Sequence, residues 1–183
     1  GNEHIITPNL DSLVAGGTAF TNSYYMGASK VAGVCMPSRA MLMTGKTLFH
    51  LEGNGHRLPP EHRTMPEVFR AAGYDTFHTG KWHNDRQSFA RSFSAADKIF
   101  FGGMSSHYRI PILDFDPTGE YANDERYFIT EKHSAELYAD AAIRYLEGYD
   151  ADKPFFMYVA FQTPHDPRHM PEEYLNMYDP SKL

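Results

Sequence analysis

Apolar and polar positions along the chain fall into a recurring pattern of short helix, glycine stop and β segment. Thr7 stands where an N-cap would, Pro8 suits the first helical position, and Leu10, Leu13 and Val14 share one face before Gly16-Gly17 ends the run. Residues 18–25 then read as a strand. The stretch from Cys35 to Gly45 predicts a second short helix, with Pro37 near its start and Gly45 just past its end. A third helix is predicted from Thr64 through Ala72 to a stop at Gly73, with a β segment over 74–79. The fourth and clearest runs over 133–147, with Leu137, Ala141, Ile143, Tyr145 and Leu146 as apolar positions, and leads into a continuous apolar strand over 154–161. An uninterrupted apolar strand after a helix predicts a buried parallel sheet. The alternation as a whole predicts an α/β sandwich whose ligands sit outside the carboxyl ends of the strands. Between residues 84 and 130 the periodicity fades into an aromatic, polar stretch that reads as a long excursion from this scaffold.

Composition narrows the chemistry. The 183 residues suit one domain or part of a larger one, and 42% hydrophobic residues with 13 Phe and 12 Tyr exclude extensive disorder. A formal charge of −6 without any Lys/Arg run excludes the electrostatics of general nucleic-acid binding. No apolar stretch approaches the roughly 18 residues of a membrane helix. The single cysteine, Cys35, excludes an internal disulfide framework and any cysteine-based zinc cluster.

Cys35 is therefore either packing or chemistry. If it opens its helix, Arg39 lies one turn on along the same face, and the unbonded N–H groups of the first turn point toward Cys35. A nucleophile, a guanidinium and a helix N-terminus together suit a sulfate, phosphate or carboxylate group. A small buried thiol beside a solvated arginine fits the same spacing. His165 and His169 have the i, i+4 spacing of a helical zinc pair, but Pro164, Pro167 and Pro171 argue against a helix there.

The segment Cys35-x-Pro37-Ser38-Arg39-x-x-Leu42-Met43-Thr44-Gly45 resembles the signature of the formylglycine-dependent sulfatases of the alkaline-phosphatase superfamily. Three further segments resemble that family in the same order: Thr7-Pro8-Asn9-Leu10-Asp11, Gly80-Lys81-Trp82-His83 and Thr163-Pro164-His165-Asp166-Pro167. The resemblance implies an alkaline-phosphatase-like α/β/α sandwich around a mostly parallel sheet, incomplete in this chain. It implies that a maturation enzyme oxidises Cys35 to formylglycine, whose hydrate attacks sulfur with one hydroxyl and expels sulfate with the other. Arg39 would then hold the hydrate, Lys81 would bind sulfate oxygens, and His83 would bond the second hydroxyl, reaching it from the same side as Lys81 if the chain is extended. His165 would contact the bridging oxygen and protonate the departing alcohol.

A calcium ion belongs to the same resemblance, with residue 35 as the only expected metal-facing position here. Its carboxylate ligands should lie outside this chain, which reads as an N-terminal portion lacking a first strand, later sheet and C-terminal subdomain. Lys46 stands where the family often has arginine. The implied substrate is a sulfated small molecule or glycan, in a periplasmic, secreted or lysosomal setting. A formylglycine-dependent phosphonate or phosphodiester hydrolase, and a non-catalytic anion-binding relative, are the alternatives.

Overall fold

A computed structural model describes residues 4–24, 26, 33–122, 126–150 and 152–182. They divide into two compact units, one of residues 1–25 with 171–183 and one of residues 26–170. In the first, helix α1 (Pro8–Ala15) starts after Thr7 and stops at Gly16, as its punctuation predicts. Its apolar residues Leu10, Leu13 and Val14 are all exposed. The expected strand at 18–25 does not form over its described residues 18–24; Tyr25 lies outside them. A strand needs a neighbour for its backbone hydrogen bonds. These residues pair with none, and Phe20 and Tyr24 are left exposed.

In the larger unit, helix α2 (Cys35–Thr44) begins at Cys35 and ends on Gly45 at φ +65, the left-handed backbone that glycine adopts without penalty. Helix α3 (Met65–Ala71) is held by a capping box in which Thr64 and Glu67 satisfy each other's backbone N–H groups. Strand β1 (Asp75–Lys81) follows and forms the centre of a three-stranded parallel sheet. Helix α4 (Arg86–Ser92) leads to strand β2 (Ala95–Phe100) on one side of β1. Strands β3 (Ile110–Ile112) and β4 (Tyr127–Ile129) make a small antiparallel pair. Helix α5 (Ser134–Glu147) then crosses to strand β5 (Phe155–Ala160) on the other side of β1. In the smaller unit, α6 (Glu172–Leu175) is a single turn.

Successive residues of β1 point to opposite layers, which gives the sandwich its two faces. Phe77 stacks on Tyr145 of α5 at 4.1 Å, whereas His78 meets Phe89 of α4 and Phe93 just after it, each at 5.0 Å. Ala40 and Met43 of α2 join the α4 side with Leu58 and Trp82. Neither ring nitrogen of His78 has a hydrogen-bond partner, and burial, with Arg39 adding to it, pushes its pKa down to about 3. His78 is thus a neutral core residue.

Two expectations need correction. The stretch expected as an excursion from residue 84 supplies α4 and β2, which belong to the scaffold. Its strand was hidden because Asp97 and Lys98 interrupt the apolar pattern. Lys98 is a bulge residue at φ +54 that drops out of the pairing with β1, and Asp97 accepts a hydrogen bond from Arg144 of α5. Strand β5 is parallel as expected but only half-buried over most of its length, with Ala160 alone buried, because it pairs on one side only. Likewise Ile143 and Leu146 of α5 are exposed, and Tyr138 and Ala142 replace them in the core. Among the described residues no helix is long and apolar enough to cross a membrane.

β1 and β5 approach closely at Gly80, whose φ is +99 and where a Cβ would lie 2.2 Å from the Ala160 carbonyl oxygen. Gly73 has φ +91 with nothing within 4 Å of such a Cβ. In the full-length protein, Gly73→Ala should cost about 1–2 kcal/mol, the strain of a positive φ alone. Gly80→Ala should cost distinctly more, because β1 and β5 must also separate. Urea unfolding compares the two, and equal losses would contradict the tight β1–β5 approach.

Candidate active site

Cys35 is the first residue of α2, half-buried, and follows Val34 in extended backbone with no side chain capping the helix. The first-turn N–H groups are therefore left without a side-chain cap. Arg39, one turn on, turns toward the sheet instead of solvent. Its Nη1 donates to the Lys81 carbonyl at 2.5 Å and to the Tyr158 hydroxyl at 3.2 Å. One guanidinium thus joins α2 to the last residue of β1 and to β5.

Lys81 is 1% exposed, and its Nζ donates to the Gly103 carbonyl. Cys35 lies close enough for its side chain to act electrostatically on that ammonium. Burial holds the Lys81 pKa below the ordinary lysine value; Cys35 opposes this shift and Arg39 adds to it.

His83 departs from expectation in its backbone. β1 ends at Lys81, and His83 takes φ +76 rather than continuing the strand. Its neighbours explain the turn. The Trp82 N–H continues the sheet to the Phe100 carbonyl at 2.9 Å while its indole is buried in the core. Asn84 is buried and donates to the carbonyls of Gly55 at 2.6 Å and Met36 at 3.3 Å. Pinned on both sides, His83 swings out between them and packs over Gly103, where a Cβ would lie 2.8 Å from Nε2. Burial, reinforced by Lys81, Arg39, His165 and His56, holds its pKa down to about 4.

His165 lies on the loop after β5 and is close enough to His83 to add to that shift. Its Nδ1 donates to the Asp166 carbonyl at 2.8 Å, which in the neutral ring leaves Nε2 as the acceptor nitrogen. No helix forms over 161–170, so His165 and His169 do not share a helical face. The structure therefore brings Cys35, Arg39, Lys81 and His83 together at the carboxyl end of β1, with His165 beside His83. Sequence reasoning missed Tyr158, Gly103 and Asn84. The hydroxyl of Tyr158 inside an apolar strand was the one visible signal.

Cations gathered around a helix-opening residue at the strand ends of an α/β/α sandwich suit an anionic ligand. A family model for sulfatases matches residues 1–182. Mouse arylsulfatase J is 30% identical over 196 residues, which cover 95% of this chain and 31% of that protein. An ulvan-active sulfatase of Formosa agariphila is 33% identical over 195 residues, covering 100% and 35%. A solved structure of a protein in complex with its substrate D-glucosamine-2-N,6-O-disulfate superposes with TM-score 0.73 at 24% identity, covering 96% of this chain and 33% of that one. The chain belongs to the sulfatase family, and its fold is alkaline-phosphatase-like. It spans about a third of the length of these relatives.

The implied calcium ion finds no cage here: among the described residues no group of three or more His, Cys, Asp or Glu side chains converges to hold a metal. A hard cation needs six or more oxygens.

The low pKa of His83 has a direct consequence. An unfolded histidine protonates near 6.5, while His83 stays neutral down to about 4. Between those values the unfolded state binds the extra proton, so this contribution to stability is lost as pH falls. Histidine-resolved NMR titration of the full-length protein should give a His83 midpoint near 4, and a midpoint between 6 and 7 would contradict its buried, cation-flanked placement.

Proposed function

We propose that the chain is the N-terminal part of a sulfatase catalytic domain that hydrolyses a sulfate ester of a carbohydrate, with residue 35 as the nucleophilic position. The supporting observation is the burial of the Lys81 ammonium near Cys35, with Arg39 held to the Lys81 carbonyl. A thiol serving only as core packing would not call for a buried lysine, because burying an ammonium costs free energy that an anionic ligand offsets. The names of the ulvan-active relative and of the glucosamine-bound structure support a sugar sulfate as the substrate class.

Oxidised to formylglycine and hydrated, residue 35 would supply one hydroxyl to attack sulfur and a second to release sulfate. The donors around it suit that group: hydroxyl and sulfate oxygens are acceptors, while Lys81 and Arg39 carry only N–H donors. In this reading Lys81 holds the sulfate oxygens and offsets charge as it builds on them, and Arg39 keeps Lys81 and α2 in register. His83, neutral at physiological pH, accepts a proton from residue 35. His165, once protonated on Nε2, donates to the bridging oxygen as the S–O bond to the alcohol breaks. The carboxylates that a calcium ion would need are assigned to parts of the protein beyond these residues.

The test is made on residue 35 itself. Trypsin should release Val31 to Arg39 from protein produced with a maturation system. Conversion should lower its mass by about 18 Da and create a hydrazine-reactive aldehyde. That preparation should hydrolyse 4-nitrophenyl sulfate faster than the corresponding phosphodiester. Turnover by protein carrying only the thiol would overturn the mechanism, and faster phosphodiester hydrolysis would overturn the substrate class.

A further inference from the structure

The stretch between β2 and α5 holds the loop that carries His165 at three places. Gln162 Nε2 donates to the Ser105 carbonyl at 2.8 Å, His107 Nε2 to the His165 carbonyl at 3.0 Å, and His133 Nε2 to the His169 carbonyl at 3.2 Å. The middle contact is the most enclosed. His107 is 1% exposed, and Ser134 holds it twice: the Ser134 N–H donates to the His107 carbonyl and the Ser134 hydroxyl meets Nδ1, both at 2.8 Å.

The protonation pattern follows from the partners. A carbonyl only accepts, so Nε2 must carry the hydrogen, and in the neutral ring the Ser134 hydroxyl must donate to Nδ1. Were the ring to gain a proton, Nδ1 would donate to the Ser134 oxygen and the bond to His165 would persist. His165 in turn fixes its own ring through the neighbouring Asp166 carbonyl. Whatever fixes the backbone at 165–166 therefore aims His165 Nε2.

We infer that His107 is a positioning residue for His165, holding the loop backbone so that His165 Nε2 meets the leaving-group oxygen. This rests on the reading of His165 as the proton donor. A shift of about 1 Å in such a group can cost on the order of 10²-fold in rate. The loss should be concentrated where protonation matters, on esters of poorly leaving alcohols.

Two substitutions separate the two sides of the ring. In His107→Asn the amide can take the place of Nδ1 and keep Ser134, but it falls short of the His165 carbonyl. In His107→Gln the amide nitrogen reaches the position of Nε2. In the matured full-length enzyme, His107→Asn should lower kcat on phenyl sulfate by about 10²-fold. It should change 4-nitrophenyl sulfate only a few-fold, and His107→Gln should recover most of the loss. Combined with His165→Ala, His107→Asn should add nothing further, because residues acting through one another are not additive.

Equal losses from His107→Asn on both esters, beside a selective loss from His165→Ala, would overturn the positioning role. So would full additivity in the double variant, or failure of His107→Gln to recover activity. If His165→Ala itself loses equally on both esters, the proton-donor role fails. Non-additivity would then still support the placement of His165 by His107, and additivity would refute it.

Discussion

The parallel pairing of β1 with β5 is the constraint on which the site depends. Gly80 sits opposite Ala160 at the last pair of that register, close enough that only a hydrogen fits between them. Lys81 and His83 follow within three residues on one strand, and the His165 loop follows within five on the other. The two sets of side chains therefore emerge at the same end of the sheet. Arg39 ties α2 to both strands through the Lys81 carbonyl and the Tyr158 hydroxyl. Cys35 is positioned by that tie and by Asn84, whose amide holds the Met36 carbonyl.

The electrostatics follow from the same packing. Lys81 and Arg39 bring two positive groups into a partly enclosed space, and burial with their help keeps His83 neutral. Among the described residues no carboxylate pairs with Lys81 or Arg39, and buried cations so placed favour an anion that fills the site. A neutral imidazole beside them can take up a proton at physiological pH, which a histidinium could not do. Lys81 and His83 are thus given different surroundings, although both lie within three residues of Gly80.

Much of the scaffold was legible in the sequence because its signals are local. Pro37 and Gly45 bracket α2, Thr64 and Glu67 open α3, and the apolar run over 154–161 marks β5. β2 was not legible, since its bulged Lys98 and its Asp97 answer to α5 and β1 rather than to their neighbours in sequence. The expected strand near Thr18 failed for the converse reason: a local pattern without a partner makes no strand. The candidate site residues were named through the resemblance of four short motifs to one family. Spacing alone left Cys35 and Arg39 open between chemistry and packing. The left-handed turn at His83 and the contact from His107 to the His165 carbonyl arise from long-range packing, and no motif announces them.

The proposed chemistry depends on residue 35 as the group that attacks sulfur. A serine there can accept the sulfuryl group, but it lacks the second hydroxyl needed to release it. Full-length Cys35→Ser protein, incubated with 4-nitrophenyl sulfate and digested with trypsin, should yield the peptide Val31 to Arg39 heavier by about 80 Da, one sulfate monoester per chain. The peptide should remain unmodified when Lys81→Ala is added. Continued turnover by the serine variant with no sulfate on that peptide would contradict the claim.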